Sequence, residues 1–220
     1  EHGGYVYFTP LRPRHYKVYS APNQGMWCCV GSGMENHGKY GQFIYTHAGN
    51  ALYVNLFVPS TLDWQEKGLS FNQETAFPYE ESTTLTLTKG KGRFSIRIRV
   101  PHWVEANGLH VLVNGKATNA PILESGYLNL ERNWKKGDKI SLTLPMKTYV
   151  ETMPNVSNYI AILHGPILLG AKTGKEAMSG LIANDSRWAH IAHGQRLPVD
   201  QAPILIEDNV KDLGRKLLPI

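Results

Sequence analysis

Between residues 51 and 169 the chain alternates apolar and polar positions with a period of two, the pattern of strands that bury one face. The cleanest case is 93–100, where every second residue from Phe94 to Val100 is apolar. Segments of this kind predict strands over 51–58, 69–73, 83–88, 93–100, 109–113, 127–130, 139–144, 149–152 and 159–169. Asn114-Gly115 is a strong two-residue hairpin signal. Short strands separated by turn residues favour an antiparallel, jelly-roll-like β-sandwich in a mainly β protein.

A helical period precedes these strands. Ser32 and Glu35 have the capping-box spacing, which predicts a helix that begins after Ser32 and ends near Ala48, before Gly49-Asn50. The apolar face of this helix, expected to pack on another element, consists of Met34, His37, Gly41, Ile44 and Ala48. Residues 1–31 show no period and predict irregular backbone, and 172–181 predict a loop. One further strand is possible at 202–206.

Composition narrows the class of protein. The chain has a mass of 24.6 kDa, with 42% hydrophobic and 19% charged residues, as in an ordinary globular protein. The net charge of +5 is spread along the chain, and the local group Arg93, Arg97 and Arg99 lies in a predicted strand, as on a solvated sheet face. We therefore expect no nucleic-acid partner. We also expect no membrane span, because no apolar run approaches the length needed to cross a bilayer.

The two cysteines of the chain are adjacent, at Cys28 and Cys29. Neighbouring residues cannot easily form a disulfide, because their Cα atoms are closer than the bond requires. Two interpretations follow from the residues alone: a thiolate or soft-metal site, or two inert thiols in the core. Glu35 and His37 follow closely and could in principle add to a metal site, although the capping box is the simpler role for Glu35.

The run Met26-Trp27-Cys28-Cys29-Val30-Gly31-Ser32-Gly33-Met34-Glu35-Asn36-His37, with Tyr7-Phe8-Thr9-Pro10-Leu11 before it, resembles the C-terminal part of the β-L-arabinofuranosidases of glycoside hydrolase families 127 and 146. Similar pieces are Ile98-Arg99-Val100-Pro101-His102-Trp103, Val111-Leu112-Val113-Asn114-Gly115 and Ala183-Asn184-Asp185-Ser186-Arg187. The Cys-Cys run is the specific part of this resemblance, which extends over most of the chain.

The resemblance implies an (α/α)6 barrel followed by β-sandwiches, with zinc in the barrel. Residues 1–50 would be the remnant of that barrel, 51–171 a sandwich, and 172–220 an extension that could complete it. Cys28 would be the nucleophile, and Cys28 and Cys29 would both bind zinc. Glu35 and His37 would at most hydrogen-bond to the zinc ligands. The other partners would be an arabinose-containing oligosaccharide or polysaccharide and the barrel, which would supply the remaining ligands and the acid catalyst. Family habit favours a periplasmic or secreted location.

Zinc would make a cysteine nucleophile chemically reasonable. Coordination removes the thiol proton, and withdrawal of charge makes sulfur a better leaving group. Three alternatives stay open: a non-catalytic carbohydrate-binding or architectural sandwich, a cysteine hydrolase that pairs Cys28 with a histidine, and a small zinc module. The first would use exposed aromatic rings, for which the candidates are Trp64, Trp103, Trp134 and Trp188.

Overall fold

The protein is described by a computed structural model that covers residues 3–10, 15–105, 108–170, 178–184, 186–194 and 218–219. These residues form one α-helix, α1 (Cys28–Phe43), and two 3-10 turns, Gln65–Lys67 and Arg187–His190. The strands are β1 (Tyr19–Ser20), β2 (Tyr45–Ala48), β3 (Ala51–Val54), β4 (Ser60–Trp64), β5 (Leu69–Thr75), β6 (Ser82–Lys89), β7 (Lys91–Arg99), β8 (His110–Val113), β9 (Lys116–Ala117), β10 (Tyr127–Lys135), β11 (Lys139–Thr143), β12 (Thr148–Met153), β13 (Val156–His164), β14 (Ile167–Gly170), β15 (Ile182–Ala183) and β16 (Leu218–Pro219).

The chain divides into two compact units. The first, here called the thiol unit, consists of residues 1–39 and 170–218, and the second, here called the sandwich unit, consists of residues 40–169 and 219–220. The thiol unit is therefore discontinuous in sequence, with the sandwich unit inserted between its two parts.

Two sheets of the sandwich unit share one hydrophobic core, which confirms the prediction of a mainly β sandwich. Their strand orders are β10-β7-β3-β2 and β4-β5-β6-β11-β8-β9. All neighbours are antiparallel except β3 and β7. Leu52 and Leu130 flank Ile96 on the core face of the first sheet, and Phe71 and Leu87 pair on the second. All five side chains are buried, so the period of two correctly identified the inward positions.

The hairpin prediction at Asn114-Gly115 is confirmed. Both residues have positive φ, +53° and +78°, and they connect β8 to β9. Positive φ at both central positions defines the type I′ turn, whose twist matches that of the flanking strands.

The single strand predicted over 159–169 is wrong, because two strands occupy this segment. β13 and β14 form a hairpin around Gly165, which has φ +55°. A Cβ at this position would lie 2.7 Å from the Met146 side chain, so the turn requires glycine. A third sheet, with β13 between β12 and β14, results.

The helix prediction was wrong at both ends. α1 begins at Cys28 and places Ser32 in its interior, where Glu35 pairs with Lys39 at 3.6 Å instead of capping the helix. Residues 45–48 form β2, which continues through a two-residue turn at Gly49 (φ +57°) into β3. Gly49-Asn50 therefore ends a strand and not a helix.

Most of the expected apolar face of the helix is exposed to solvent, and Ile44 is its buried member. Residues 32–43 are all exposed, and Met34 keeps 39% of its surface in contact with solvent. Val30 is the buried residue of α1, and Ile44, just after it, is also buried. No helix in the described ranges is both long and apolar enough to cross a bilayer.

Asn55 fixes the end of α1 within the sandwich unit. Its side-chain amide donates to the Phe43 carbonyl and the Thr46 hydroxyl, both at 3.1 Å, and its side-chain carbonyl accepts from the Tyr127 hydroxyl at 2.8 Å. Its own backbone carbonyl accepts from Arg99 at 2.7 Å. Asn55 is 1% exposed, and these partners satisfy it.

The C-terminal part of the described chain is less regular. Residues 178–181 lie outside helices and strands, in agreement with the predicted loop, whereas residues 172–177 lie outside the described ranges. The possible strand at 202–206 also lies outside them. β15 pairs with β1 in parallel and brings the Arg187–His190 turn into the thiol unit.

Candidate functional site

The two cysteines occupy the first turn of α1. The Trp27 carbonyl accepts the first helical hydrogen bond, from the Gly31 amide at 3.0 Å, so Cys28 and Cys29 are the first residues of the helix. Both side chains are exposed, which contradicts the interpretation of the pair as inert core thiols. The first amides of a helix lack partners within the helix and carry a partial positive charge, so anionic groups are stabilised there.

The two thiols are in contact with each other and with one tyrosine. The Sγ atoms of Cys28 and Cys29 are 3.7 Å apart, and the Tyr7 hydroxyl lies 3.7 Å from the Cys28 Sγ. Hydrogen bonds from Tyr7, and then from the Cys29 thiol and amide, lower the pKa of Cys28. The hydrogen bond to Cys28 raises the pKa of Cys29 and that of Tyr7. Cys28 is therefore the sulfur that ionises first, with two donors directed at it.

Three aromatic rings lie beside Cys28. The rings of Tyr7 and Trp27 meet edge to face at 5.5 Å, and the His190 imidazole packs edge to face on both, at 4.7 Å from Trp27 and 6.4 Å from Tyr7. Arg187, three residues before His190, is exposed, and its positive charge opposes the rise in the Tyr7 pKa that Cys28 causes. Its positive charge adds to the lowering of the Cys28 pKa.

Sequence reasoning did not assign roles to Tyr7, Arg187 or His190. The signals available were the two runs that resembled a family, 7–11 and 183–187, which contain Tyr7 and Arg187. Tyr7 is placed by a bridge between Val6 and Tyr19 in β1, and the Arg187–His190 turn by the pairing of β1 with β15. No local pattern reports either pairing.

Glu35 and His37 lie further along the helix than the thiols. Glu35 follows Cys28 by seven positions, which corresponds to a rise of about 10 Å along the axis. Glu35 is exposed and pairs with Lys39, and His37 is exposed. The structure therefore does not bring either side chain to the thiol pair.

The thiol pair has the spacing that a zinc ion requires of two sulfur ligands. At a zinc–sulfur distance of about 2.3 Å and a tetrahedral angle, two sulfurs are about 3.8 Å apart. The observed 3.7 Å matches this value. Among the described residues, no third His, Cys, Asp or Glu joins them in a metal-binding group. The pair thus fits zinc as half of a ligand set.

The tryptophans do not form a sugar-stacking surface on the sandwich unit. Trp64 and Trp134 are buried in its core, and Trp103 is half-buried and stacked on Phe77. Trp188 is 63% exposed but belongs to the thiol unit, where the Arg187 guanidinium lies 5.1 Å from its ring.

Comparisons with known proteins agree with this architecture. Three family models match in succession along the chain: the GH127 β-L-arabinofuranosidase catalytic domain over 1–42, the GH127 middle domain over 51–146, and a domain of unknown function over 149–220. The chain belongs to glycoside hydrolase family 127. The Cys-Cys run of this GH127 chain lies in the match to the catalytic domain, and the two-sheet core lies in the match to the middle domain.

Solved structures are similar over most of this GH127 chain. A GH127 β-L-arabinofuranosidase from Geobacillus stearothermophilus T6 is 28% identical, with a TM-score of 0.60 over 70% of this chain and 25% of that one. A glycoside hydrolase is 26% identical, with a TM-score of 0.63 over 76% and 30%. A GH127 β-arabinofuranosidase is 25% identical, with a TM-score of 0.64 over 76% and 29%. The chain thus spans less than a third of the length of each, and no curated protein matches it.

Proposed function

We propose that this chain is part of a longer, zinc-dependent, retaining glycoside hydrolase that cleaves L-arabinofuranosides, with Cys28 as nucleophile. Family membership supports the reaction class, and the relatives described as arabinofuranosidases support the sugar. The observation that carries the nucleophile assignment is the exposed Cys28 thiol on the first turn of α1, 3.7 Å from both the Tyr7 hydroxyl and the Cys29 sulfur.

The proposed reaction proceeds by two displacements at the anomeric carbon. The Cys28 thiolate attacks this carbon, and a carbon–sulfur bond forms as the bond to the leaving-group oxygen breaks. An acid from the remainder of the longer protein protonates that oxygen. Water then replaces sulfur as the conjugate base of that acid takes its proton, and the thiolate leaves. Two inversions retain the configuration of the sugar.

Tyr7 and the backbone amide of Cys29 would act in both steps. Each directs a proton toward the Cys28 sulfur, so each stabilises the thiolate before attack and when it leaves. Cys28 and Cys29 would bind zinc together with ligands from the remainder of the protein. Zinc, when bound, supplies a positive charge that keeps the thiolates deprotonated and makes sulfur a better leaving group.

The exposed helix supports the proposal that a further domain covers the site. Residues 32–43 of α1 are all exposed, and they include Met34, Tyr40 and Phe43, of which Phe43 keeps 55% of its surface in contact with solvent. A helix with so few buried contacts gains little from tertiary packing, which normally stabilises short helices. The helical barrel implied by the family would cover this face.

The other candidate functions receive less support. A cysteine hydrolase requires a base in contact with the thiol, and within the described ranges the side chains bonded to Cys28 are Tyr7 and Cys29. A self-contained zinc module requires about four ligands, and the described residues supply two. A stacking-based sugar-binding sandwich would need the exposed rings that Trp64 and Trp134 do not provide.

Substitution of the nucleophile tests the proposal. We expect Cys28→Ser in the longer protein to abolish hydrolysis of an aryl L-arabinofuranoside, because a serine hydroxyl does not ionise near neutral pH. The measurement is the release of the aryl alcohol, with zinc content determined in parallel. Lys39→Ala, on the exposed face of the same helix, is the control for general damage. Near-normal turnover by Cys28→Ser would end the nucleophile assignment.

A further inference from the structure

The 3-10 turn Arg187–His190 reaches the thiols from the far end of the chain. The Tyr19 amide donates to the Leu181 carbonyl at 2.9 Å, and β1 then pairs with β15. This pairing brings the turn next to Tyr7 and Trp27, the residues that surround Cys28. Neither the comparisons nor the proposed reaction gives the turn a role.

His190 is buried, with the Asn184 backbone as a polar neighbour. It is 1% exposed, and neither ring nitrogen has the geometry of a hydrogen bond to a described residue. Burial lowers the pKa of His190, outweighs the opposing effect of the Asn184 backbone, and so favours the neutral imidazole. Its evident interaction is therefore packing, as a flat ring set edge to face against Trp27 and Tyr7.

The two rings that His190 touches determine where the Cys28 sulfur lies. Trp27 precedes Cys28, and its carbonyl starts the helix. Tyr7 places its hydroxyl 3.7 Å from the Cys28 sulfur. Displacement of either ring would therefore move the thiol or its donor.

Arg187 acts at the same point through charge. It lies in the same turn, three residues before His190, and its guanidinium is held over the Trp188 ring, with Cζ 5.1 Å from the ring centre. Its positive charge favours the ionised forms of Tyr7 and Cys28, which acts to lower their pKa values. An exposed arginine held in this way adds a positive potential to the site, which solvent and salt screen.

We propose that the Arg187–His190 turn is a positioning element for the Cys28 thiol. His190 holds the Tyr7 and Trp27 rings through its shape, and Arg187 supplies positive charge beside the Tyr7–Cys28 contact. This inference rests on the proposed role of Cys28 as nucleophile.

Alkylation of Cys28 in this 220-residue chain tests the inference without turnover. The chain carries Cys29→Ser so that a single thiol reacts, and a chelator is present. Second-order rates are measured near neutral pH with iodoacetamide, which is neutral, and with iodoacetate, which is an anion. The ratio of the iodoacetate rate to the iodoacetamide rate reports the electrostatic potential at the Cys28 sulfur. A change by the same factor in both rates reports a change in the position of the thiol or its donor.

The Arg187 variants test the charge. We expect Arg187→Gln to lower the ratio of iodoacetate to iodoacetamide rates by roughly threefold or more, because loss of one nearby charge weakens attraction of the anion. Arg187→Lys should restore much of the ratio. Arg93→Gln, an exposed arginine of the sandwich unit, should leave it unchanged. An unchanged ratio in Arg187→Gln would overturn the role of Arg187.

The His190 variants test the shape. We expect His190→Ala to slow both reagents by the same factor, and His190→Phe to keep the rates of the parent chain, because phenylalanine preserves a flat ring without polar nitrogens. Unchanged rates in His190→Ala would overturn the positioning role. So would a His190→Phe chain that reacts as slowly as His190→Ala, since the imidazole nitrogens would then be required.

Circular dichroism checks folding in each variant. If His190→Ala does not fold, His190→Phe and the Arg187 pair still decide the inference. Failure of the inference about the turn can also be distinguished from failure of the proposed function. If Cys28→Ser loses turnover but the turn variants are alkylated at the parent rate, the positioning role of the turn is refuted and the nucleophile role of Cys28 stands. If Cys28→Ser keeps turnover but the turn variants change alkylation, the nucleophile role is refuted and the effect of the turn on the thiol stands.

Discussion

Gly25 shows how a single residue shapes the thiol site. Its φ of +70° disfavours any side chain, and a Cβ there would lie 3.0 Å from the Trp27 ring and 3.4 Å from the Ser20 Cβ. Because Trp27 precedes the nucleophile candidate, the permissive backbone at Gly25 is what allows the indole to lie against His190.

We expect Gly25→Ala to destabilise the thiol unit by about 1–2 kcal/mol, the cost of left-handed backbone for a residue with a Cβ. Urea unfolding, followed by tryptophan fluorescence, measures the loss. The matched control is Gly31→Ala, which lies inside α1 with open space around its Cβ and should gain up to about 1 kcal/mol of helix propensity. Equal losses in the two variants would contradict the argument.

The sequence locates the thiols but not their neighbours. Adjacent cysteines are a local signal, visible without any fold. Tyr7 meets Cys28, and His190 meets Tyr7, only through tertiary pairing, so the periodicity of their own segments gives them no role. The roles of Cys28 as nucleophile and of Cys28 and Cys29 as zinc ligands stay predictions.

At the scale of elements, the strands were the predictable part, because alternation in 93–100 and the Asn114-Gly115 turn are direct consequences of backbone geometry. The helix boundaries were not. Ser32 and Glu35 have the spacing of a cap, but the helix already starts at Cys28, where the Trp27 carbonyl accepts its first bond. Residues 45–48 continue the helical period by coincidence, and pairing with β3 makes them a strand.

Asn55 connects three elements, so its loss should be costly. Asn55→Ala would leave the Tyr127 hydroxyl and the Phe43 carbonyl without their partner, at about 1–3 kcal/mol for buried polar groups left unpaired. Denaturant unfolding of the sandwich unit measures this loss. Asn119→Ala, at an exposed loop position, should change stability by less than about 0.5 kcal/mol. The prediction fails if the two variants are equally stable.

Asp138 should make the sandwich unit sensitive to acid. Burial alone would raise the pKa of its carboxyl, but hydrogen bonds from the Lys135 amide and the Asn114 side chain outweigh burial and lower it. A lowered folded pKa stabilises the fold above the unfolded value, about 3.9. This stability is lost as pH falls through the folded pKa.

Asp138→Asn should therefore be less stable than the parent at neutral pH, and the difference should shrink as pH falls below about 4. Urea midpoints measured at a series of pH values check the trend. If the stability difference between Asp138→Asn and the parent is constant over this pH range, ionisation of Asp138 does not cause the acid sensitivity.

At the scale of the whole molecule, the proposed function gives this chain one side of an active site. Within the described ranges the site contains two thiols and their donors, but no third residue for a metal group. The similar solved structures are longer, and this chain spans less than a third of the length of each. The catalytic acid and further ligands would come from the remainder.

We expect the 220-residue chain alone to be inactive on an aryl L-arabinofuranoside, because proximity of all reacting groups supplies much of the rate. It should also retain less than stoichiometric zinc after dialysis, since two of about four ligands are present. Product release and metal analysis, compared with the longer protein, check both outcomes. Hydrolysis by this chain would show that the acid lies within it.

The discontinuous thiol unit imposes an order on synthesis at the ribosome. Residues 40–169 can pair and close their core as soon as they emerge, whereas Trp27 and Tyr7 must wait for residues 182–190 before their cover is complete. Arg187 and His190 consequently join Tyr7 and Trp27 only after the whole sandwich has been translated. The delay before this turn can act on the thiol site is thus set by the length of the insertion.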